Sequence, residues 1–237
     1  MELISLKYAI FVIVLLVLYY CLPKKYRWYV LLAGSMAYYV IICKWYVLFI
    51  IFTICTTYGS TIWIDKLLKK QNAIVKSHKE DWDRQTRKEY KEKGRKKRVA
   101  VMLFALLCNF GILAFLKYIP YAGELGLLLP LGISFYTFQS MGYVMDVYRE
   151  IVEPEKNFLK VALFVSFFPQ IIQGPIAIYD KLAGQLYEGH SLRLENLQKG
   201  ALLVLWGVMK KLVIADRAVN IINFVMDKPM DFSGTYV

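Results

Sequence analysis

Two histidines, four cysteines and seven prolines occur among the 237 residues, and each shortage excludes something. His78 lies in a charge-dense stretch and His190 far beyond it. Neither has a constellation of carboxylates or cysteines around it, so both are expected as surface histidines rather than as metal ligands or proton-transfer groups. Cys21, Cys43, Cys55 and Cys108 stand far apart, at or inside apolar runs, and no C-x-x-C spacing occurs. Neither a zinc site nor a disulfide framework follows, and the four are expected as membrane-buried thiols. Charge is also scarce outside one place. Residues 65 to 98 hold 14 of the 30 Lys and Arg and 6 of the 18 Asp and Glu, so most of the net charge of +12 belongs to one segment. No nucleic-acid partner is needed to explain it.

Apolar sequence fills the remainder. Hydrophobic residues make up 58% and the mean hydropathy is +0.42, against about 45–50% apolar residues in soluble domains. They cluster in runs of roughly 15 to 21, and a hydrocarbon core needs about 20 helical residues. The fold expected is all-α, a polytopic membrane helix bundle of about seven to eight spanning or re-entrant helices.

The runs fall into three parts. Residues 1 to 64 form a three-span helical unit: Tyr8 to Leu22, Trp28 to Cys43, and Trp45 to Ile64, the last two separated only by Lys44 and so forming a tight hairpin. Charge follows the first run instead of preceding it, and Leu22 and Pro23 occupy the place of a cleavage site, so that run is a retained span and not a secretory signal. Residues 65 to 98 form a basic loop, expected as a solvated helix or arm, with anionic lipid headgroups as its functional alternative. Placing this loop in the cytoplasm puts the Lys44 turn outside and the Lys24 to Arg27 turn inside. Residues 99 to 237 make the third part, with spans expected at Val99 to Leu116 and Leu125 to Met145.

From Pro130 onward polar residues and helix breakers interrupt the apolar pattern. On a helix, Phe135, Gln139, Gly142, Asp146 and Arg149 fall within about 80° of one another, a stripe that should face protein or a water-filled cavity. The sixth run, Phe158 to Ile178, contains Pro169, Gln170, Gln173, Gly174 and Pro175. Proline removes backbone donors, and freed backbone at membrane depth is tolerated only inside protein or along a cavity. A broken or re-entrant segment is expected at 169–175, its glutamines holding the irregular backbone or binding a polar substrate. Residues 179 to 199 read as an interfacial helix pair. In the seventh run, Gly200 to Ala215, the cations Lys210 and Lys211 either snorkel to an interface or line a polar cavity. The candidates for substrate passage are Gln139, Tyr143, Asp146, Arg149, Gln170, Gln173, Gly174, Pro175, Lys210 and Lys211; no catalytic residue and no metal ligand is identified.

Four stretches together resemble the membrane-bound O-acyltransferase family, in its bacterial branch of alginate O-acetyltransferase and D-alanyl-lipoteichoic acid proteins. They are Asn109 to Tyr118 (NFGILAFLKY), Leu129 to Arg149 (LPLGISFYTFQSMGYVMDVYR), Phe167 to Ile176 (FFPQIIQGPI) and Trp206 to Arg217 (WGVMKKLVIADR). The resemblance implies a helix bundle around a tunnel, through which an acetyl or D-alanyl group passes from a cytoplasmic donor, an acyl-CoA or an acyl carrier protein, to a hydroxyl. The acceptor it implies is a cell-surface polysaccharide or teichoic acid. The implied location is the bacterial cytoplasmic membrane, with an acyl-donor protein and other envelope-modification subunits as partners and no bound cofactor.

Two departures stand out. Ala177, Ile178 and Tyr179 occupy the stretch where many relatives have a basic residue after the Gly-Pro-Ile turn. The family's catalytic histidine lies in a Trp-Arg-Arg-Trp-His type segment downstream of the stretch matching Ala215, and neither His78 nor His190 has that context. The resemblance therefore implies that these residues represent the N-terminal part of such an enzyme, stopping short of the catalytic segment and inactive alone. The competing readings are a transporter or channel with a discontinuous helix at 169–175, and a non-catalytic assembly subunit.

Overall fold

The computed structural model describes residues 6–78, 81–118 and 130–227, and among these every regular element is helical. The chain divides into two compact units, one of residues 10–189 and one of residues 190–237 with 2–9.

In the first unit, which takes α1 (Leu6–Cys21) from Ile10 onward, that helix is followed by a single 3₁₀ turn, Lys24–Tyr26, and by α2 (Arg27–Cys43). Lys44 closes the expected hairpin in the left-handed region, with φ 48°, and a 3₁₀ turn at Lys44–Tyr46 leads into α3 (Val47–Ser77). α3 passes straight through the apolar boundary at Ile64. At 31 residues it is about 46 Å long, well beyond a hydrocarbon core of about 30 Å. α4 (Arg84–Tyr118) starts equally early. The basic segment 65–98 is therefore mostly the helical continuation of two spans.

After the turn at Pro130 to Gly132, α5 (Ile133–Tyr148) runs back along α3 and α4. The expected fifth span began at Leu125, and residues 125–129 lie outside the described residues. The sixth run is two short helices, α6 (Phe158–Ser166) and α7 (Phe168–Gln173), followed by extended chain and α8 (Tyr179–Tyr187). In the second unit, α9 (Leu194–Met209) continues through a π-helical stretch, Lys210–Ala215, into α10 (Asp216–Asp227).

Around an apolar core that includes Ile50, Ile54, Val144 and Phe164, burial departs from that of a soluble protein. Ser35, Thr53, Thr57, Thr61, Asn109 and Thr137 are buried, while Ile13, Val17, Ile41, Phe104 and Leu107 lie exposed. Soluble monomers rarely expose contiguous apolar surface on this scale, whereas membrane bundles place small and polar residues between helices and apolar ones toward lipid. Thr57 and Thr61 donate to the carbonyls of Thr53 and Thr57 in their own helix, which satisfies those two buried hydroxyls. Asn109 donates to Thr56 Oγ1 at 2.9 Å and to the Ala105 carbonyl at 2.8 Å, clasping α4 to α3. By length and apolarity, Lys24–Ser77 and Arg84–Tyr118 qualify for crossing a bilayer, and Leu6–Cys21 is a shorter apolar helix. The chain is a membrane protein.

Candidate functional site

The irregular part of the first unit is built around the junction of α6 and α7. Pro169 has no N–H, yet it sits in the first turn of α7, where a donor would be unused in any case. The break falls two residues earlier, at Phe167, with φ −58° and ψ 104°. Leaving the helix at that point frees carbonyls at the end of α6. Gln139, buried on α5, donates its Nε2 to the Phe164 carbonyl at 2.8 Å, and Ser166 Oγ donates to the Ala162 carbonyl at 2.7 Å. The Phe168 N–H turns instead to Ser35 Oγ on α2, at 3.3 Å. The break is thus sealed by two side chains from neighbouring helices and one of its own.

Two glycines let the chain approach itself there. Gly132 has φ +70°, and a Cβ on it would collide with the Ile171 side chain and carbonyl of α7. Gly174 ends α7 with its N–H on the Gln170 carbonyl at 2.9 Å, and a Cβ on it would lie 2.6 Å from Gln170 Cα. Gln170 is the residue this frame presents: its Oε1 is buried without a hydrogen-bond partner. A buried amide oxygen left unpaired costs about 1–3 kcal/mol, and a hydrogen-bond donor placed against Gln170 would remove that cost. The side chain of Gln173 lies outside the described residues, and Pro175 is exposed in the extended stretch after α7.

Along the expected stripe of α5, Gln139 is buried, Gly142 and Asp146 are half-buried, and Phe135 and Arg149 are exposed; the further candidate Tyr143 is buried. Tyr143 stacks on Tyr179 of α8, with ring centroids 4.1 Å apart, and meets Phe164 edge-on. Its hydroxyl accepts from the Glu155 N–H at 2.8 Å, bracing the segment between α5 and α6. Tyr187 donates to the Lys160 carbonyl at 2.8 Å. Lys160 Nζ lies 4.8 Å from the Tyr187 ring and 3.8 Å from Glu155 Oε2. Burial, reinforced by the neighbouring Tyr179, pushes the Tyr187 phenol above its ordinary range, and burial raises Tyr179 as well. Both stay protonated at neutral pH, and Tyr187 uses its proton in the bond to Lys160. No ion pair joins Asp146 to Arg149; Asp146 instead uses its carbonyl to accept from the Ile151 N–H at 3.0 Å.

In the second unit both candidate cations have partners. Lys211 Nζ lies 3.1 Å from Asp216 Oδ1, and Lys210 Nζ lies 5.2 Å from the Trp206 ring. The pairing joins residues five apart, the spacing a π-helical stretch brings onto one face, and such stretches recur at functional sites.

Sequence reasoning missed Ser35 and gave Gly132 no role of its own. Gly132 carried a readable signal, a Pro-Leu-Gly turn just ahead of an apolar helix; Ser35 carried none. His78 stacks on Trp82 with ring centroids 4.9 Å apart, and His190 is exposed. Among the described residues no group of three or more His, Cys, Asp or Glu could hold a metal. The junction therefore presents hydrogen-bonding groups that can hold and orient a polar molecule.

Each of the four motif stretches marks a place where a plain helix does not suffice. Asn109 clasps two spans, Gly132 permits the turn into α5, Phe167 to Gly174 is the break, and Lys210 to Ala215 is the π-helical stretch. The same stretches carry the resemblance, and comparison with known proteins agrees. The chain is 31% identical to the peptidoglycan O-acetyltransferase of Helicobacter pylori over 170 aligned positions, covering 56% of this chain and 32% of that protein. It is 40% identical to the "Probable alginate O-acetylase AlgI" of Pseudomonas syringae pv. tomato over 89 positions, covering 38% of this chain and 17% of that one. A third relative, the protein of the same name from Pseudomonas putida, is 34% identical over 114 positions, 48% of this chain and 22% of its own.

These relatives are O-acetyltransferases. The resemblance read from the motifs is borne out by them. The aligned part spans a third or less of the length of each relative. No family model matches the chain, and no solved structure matches it.

Proposed function

We propose that this chain contributes the acceptor-side framework of a membrane O-acyltransferase. The enzyme moves an acyl group, acetyl by likeness to its relatives or D-alanyl, from a cytoplasmic donor to a hydroxyl of a cell-envelope polysaccharide or teichoic acid. The single observation that carries the proposal is the broken α6–α7 junction, a motif shared with the O-acetyltransferase branch, where the unpaired Gln170 Oε1 meets the need of a hydroxylated acceptor for a hydrogen-bond partner. The setting proposed is the bacterial cytoplasmic membrane, crossed several times by the seven to eight segments expected from the sequence, with the basic hairpin on the donor side.

In the transfer, the acceptor oxygen attacks the acyl carbonyl. The new C–O ester bond forms as the bond to the donor breaks, and the acceptor's proton passes to a base and then to the leaving group. Gln170 and the sealed backbone orient the acceptor, and the low-dielectric bundle excludes water that would hydrolyse the donor. The base is not among the groups of the α5–α8 junction. In this reading it comes from residues or a subunit beyond these 237, and the chain alone binds an acceptor without turnover.

The test is the O-acyl content of the envelope. Deleting the gene should lower the acetate or D-alanine released from envelope polysaccharide by mild base, and supplying the intact gene should restore it. Unchanged release on deletion contradicts the proposal. Detectable acyl transfer by the purified 237-residue chain contradicts the assignment of the base elsewhere.

A further inference from the structure

The α3–α4 hairpin carries a second site, independent of the acyl-transfer reading. At membrane depth a groove of about 630 Å³ opens between the two helices, walled by Trp63, Val101 and Phe104 and kept open by Gly59, Ser60 and Ala100. Its charged end is Lys97, beside Leu67. Those two residues also line a second cavity, of about 500 Å³, together with Lys70, Lys93 and Lys96. No carboxylate is among the described residues that line it. Both helices change from apolar to charged at this level, α3 at Ile64 to Asp65 and α4 at Arg98 to Val99.

We propose that the paired cavities bind one anionic phospholipid, an acyl chain in the groove and the phosphate among the four lysines. Lys93, Lys96 and Lys97 crowd like charge at helical spacings of three and four, which weakens a free helix; a bound phosphate reverses that. A soluble anion would satisfy the lysines and leave Trp63 and Phe104 as they are, 59% and 67% exposed. A neutral lipid would cover the rings and leave the lysines without a counter-ion. An anionic lipid answers both, and ammonium groups at this level attract such headgroups. The opposite side of the hairpin, lined by Arg84, Arg87, Arg95 and Arg98, has Glu92 and Glu150 in its lining. The lysine side has the unbalanced charge.

The full chain, purified into nanodiscs of phosphatidylcholine with a minority of phosphatidylglycerol, tests this by lipid extraction and native mass spectrometry. One phosphatidylglycerol is expected to stay with each chain, enriched about tenfold over the bulk lipid. The double variant Lys93→Gln, Lys97→Gln should bring that enrichment to the bulk ratio. Gly59→Phe should lower retention of any lipid without a change in unfolding temperature, because a Cβ at Gly59 meets nothing within 4 Å. The control Lys66→Gln, Lys76→Gln, outside the cavity, should retain the parent's enrichment. Enrichment that survives the first double variant, retention untouched by Gly59→Phe, an equal loss in the control, or displacement of the lipid by inorganic pyrophosphate would each overturn the proposal.

Discussion

The α3–α4 hairpin and the stretch from α5 to α8 meet one physical demand, satisfied backbone in a medium without water, in opposite ways. The hairpin keeps two unbroken helices of 31 and 35 residues, and nearly all of its backbone bonding is local. The α5–α8 stretch gives up regularity and closes its gaps with Gln139, Ser35 and two glycines. The cost of an open carbonyl in lipid is several kcal/mol, so the irregular region persists only because distant residues over-determine it. That is where a site with an unpaired polar atom can be held in place.

Glycine gives the largest contrast between the two regions. Gly132→Ala places a Cβ in the left-handed region, at about 1–2 kcal/mol, and against Ile171, at about 1–3 kcal/mol more. Thermal unfolding in detergent should show a loss of about 2–5 kcal/mol. Gly59→Ala, in open space on the regular hairpin, should instead be neutral or stabilising by up to about 1 kcal/mol. Equal effects at both positions would erase the distinction.

Next in size is Gln139→Leu, which strands the Phe164 carbonyl and should cost about 1–3 kcal/mol by the same assay. Tyr187 sharpens the comparison through pH. Its phenol titrates higher in the folded chain than the ordinary value of 10.0, so folding favours the protonated form. The stability this provides is complete below about pH 10 and is lost as the pH rises beyond it, where the unfolded chain ionises first. Tyr187→Phe should lower stability at neutral pH by about 1 kcal/mol, through the lost bond to Lys160, and flatten the alkaline decline. The smallest effect belongs to the second unit: Lys211→Gln removes an exposed ion pair and should shift stability by less than about 1 kcal/mol.

How much of this was legible in the sequence follows the same divide. Helix existence was readable wherever apolar runs were long, because lipid leaves the backbone no other choice. The continuation of α3 to Ser77 was not, since its outer part lacks an apolar stripe and is held by Gln71, which accepts from Arg98 Nη1 at 2.7 Å and donates to the Lys91 carbonyl at 3.0 Å. Gly94 makes room for that glutamine. A break was legible from the prolines at 169–175, but its position at Phe167 goes with the bond from the Phe168 N–H to Ser35, 133 residues before Phe168, and no local pattern announces a partner so distant. The polar stripe of α5 was legible as a face and not as an assignment: Gln139 seals backbone, and beyond the stripe Tyr143 braces a loop and Gln170 on α7 keeps an unpaired Oε1.

The most direct measurement is O-acetyl release from envelope polysaccharide in cells carrying Gln170→Leu at unchanged membrane abundance. If Gln170 Oε1 holds the acceptor, release should fall about tenfold, the equivalent of one lost hydrogen bond in the transition state, while the unfolding temperature stays the same or rises. Parental release from a normally abundant Gln170→Leu protein would contradict the assignment of the α6–α7 junction as the acceptor site.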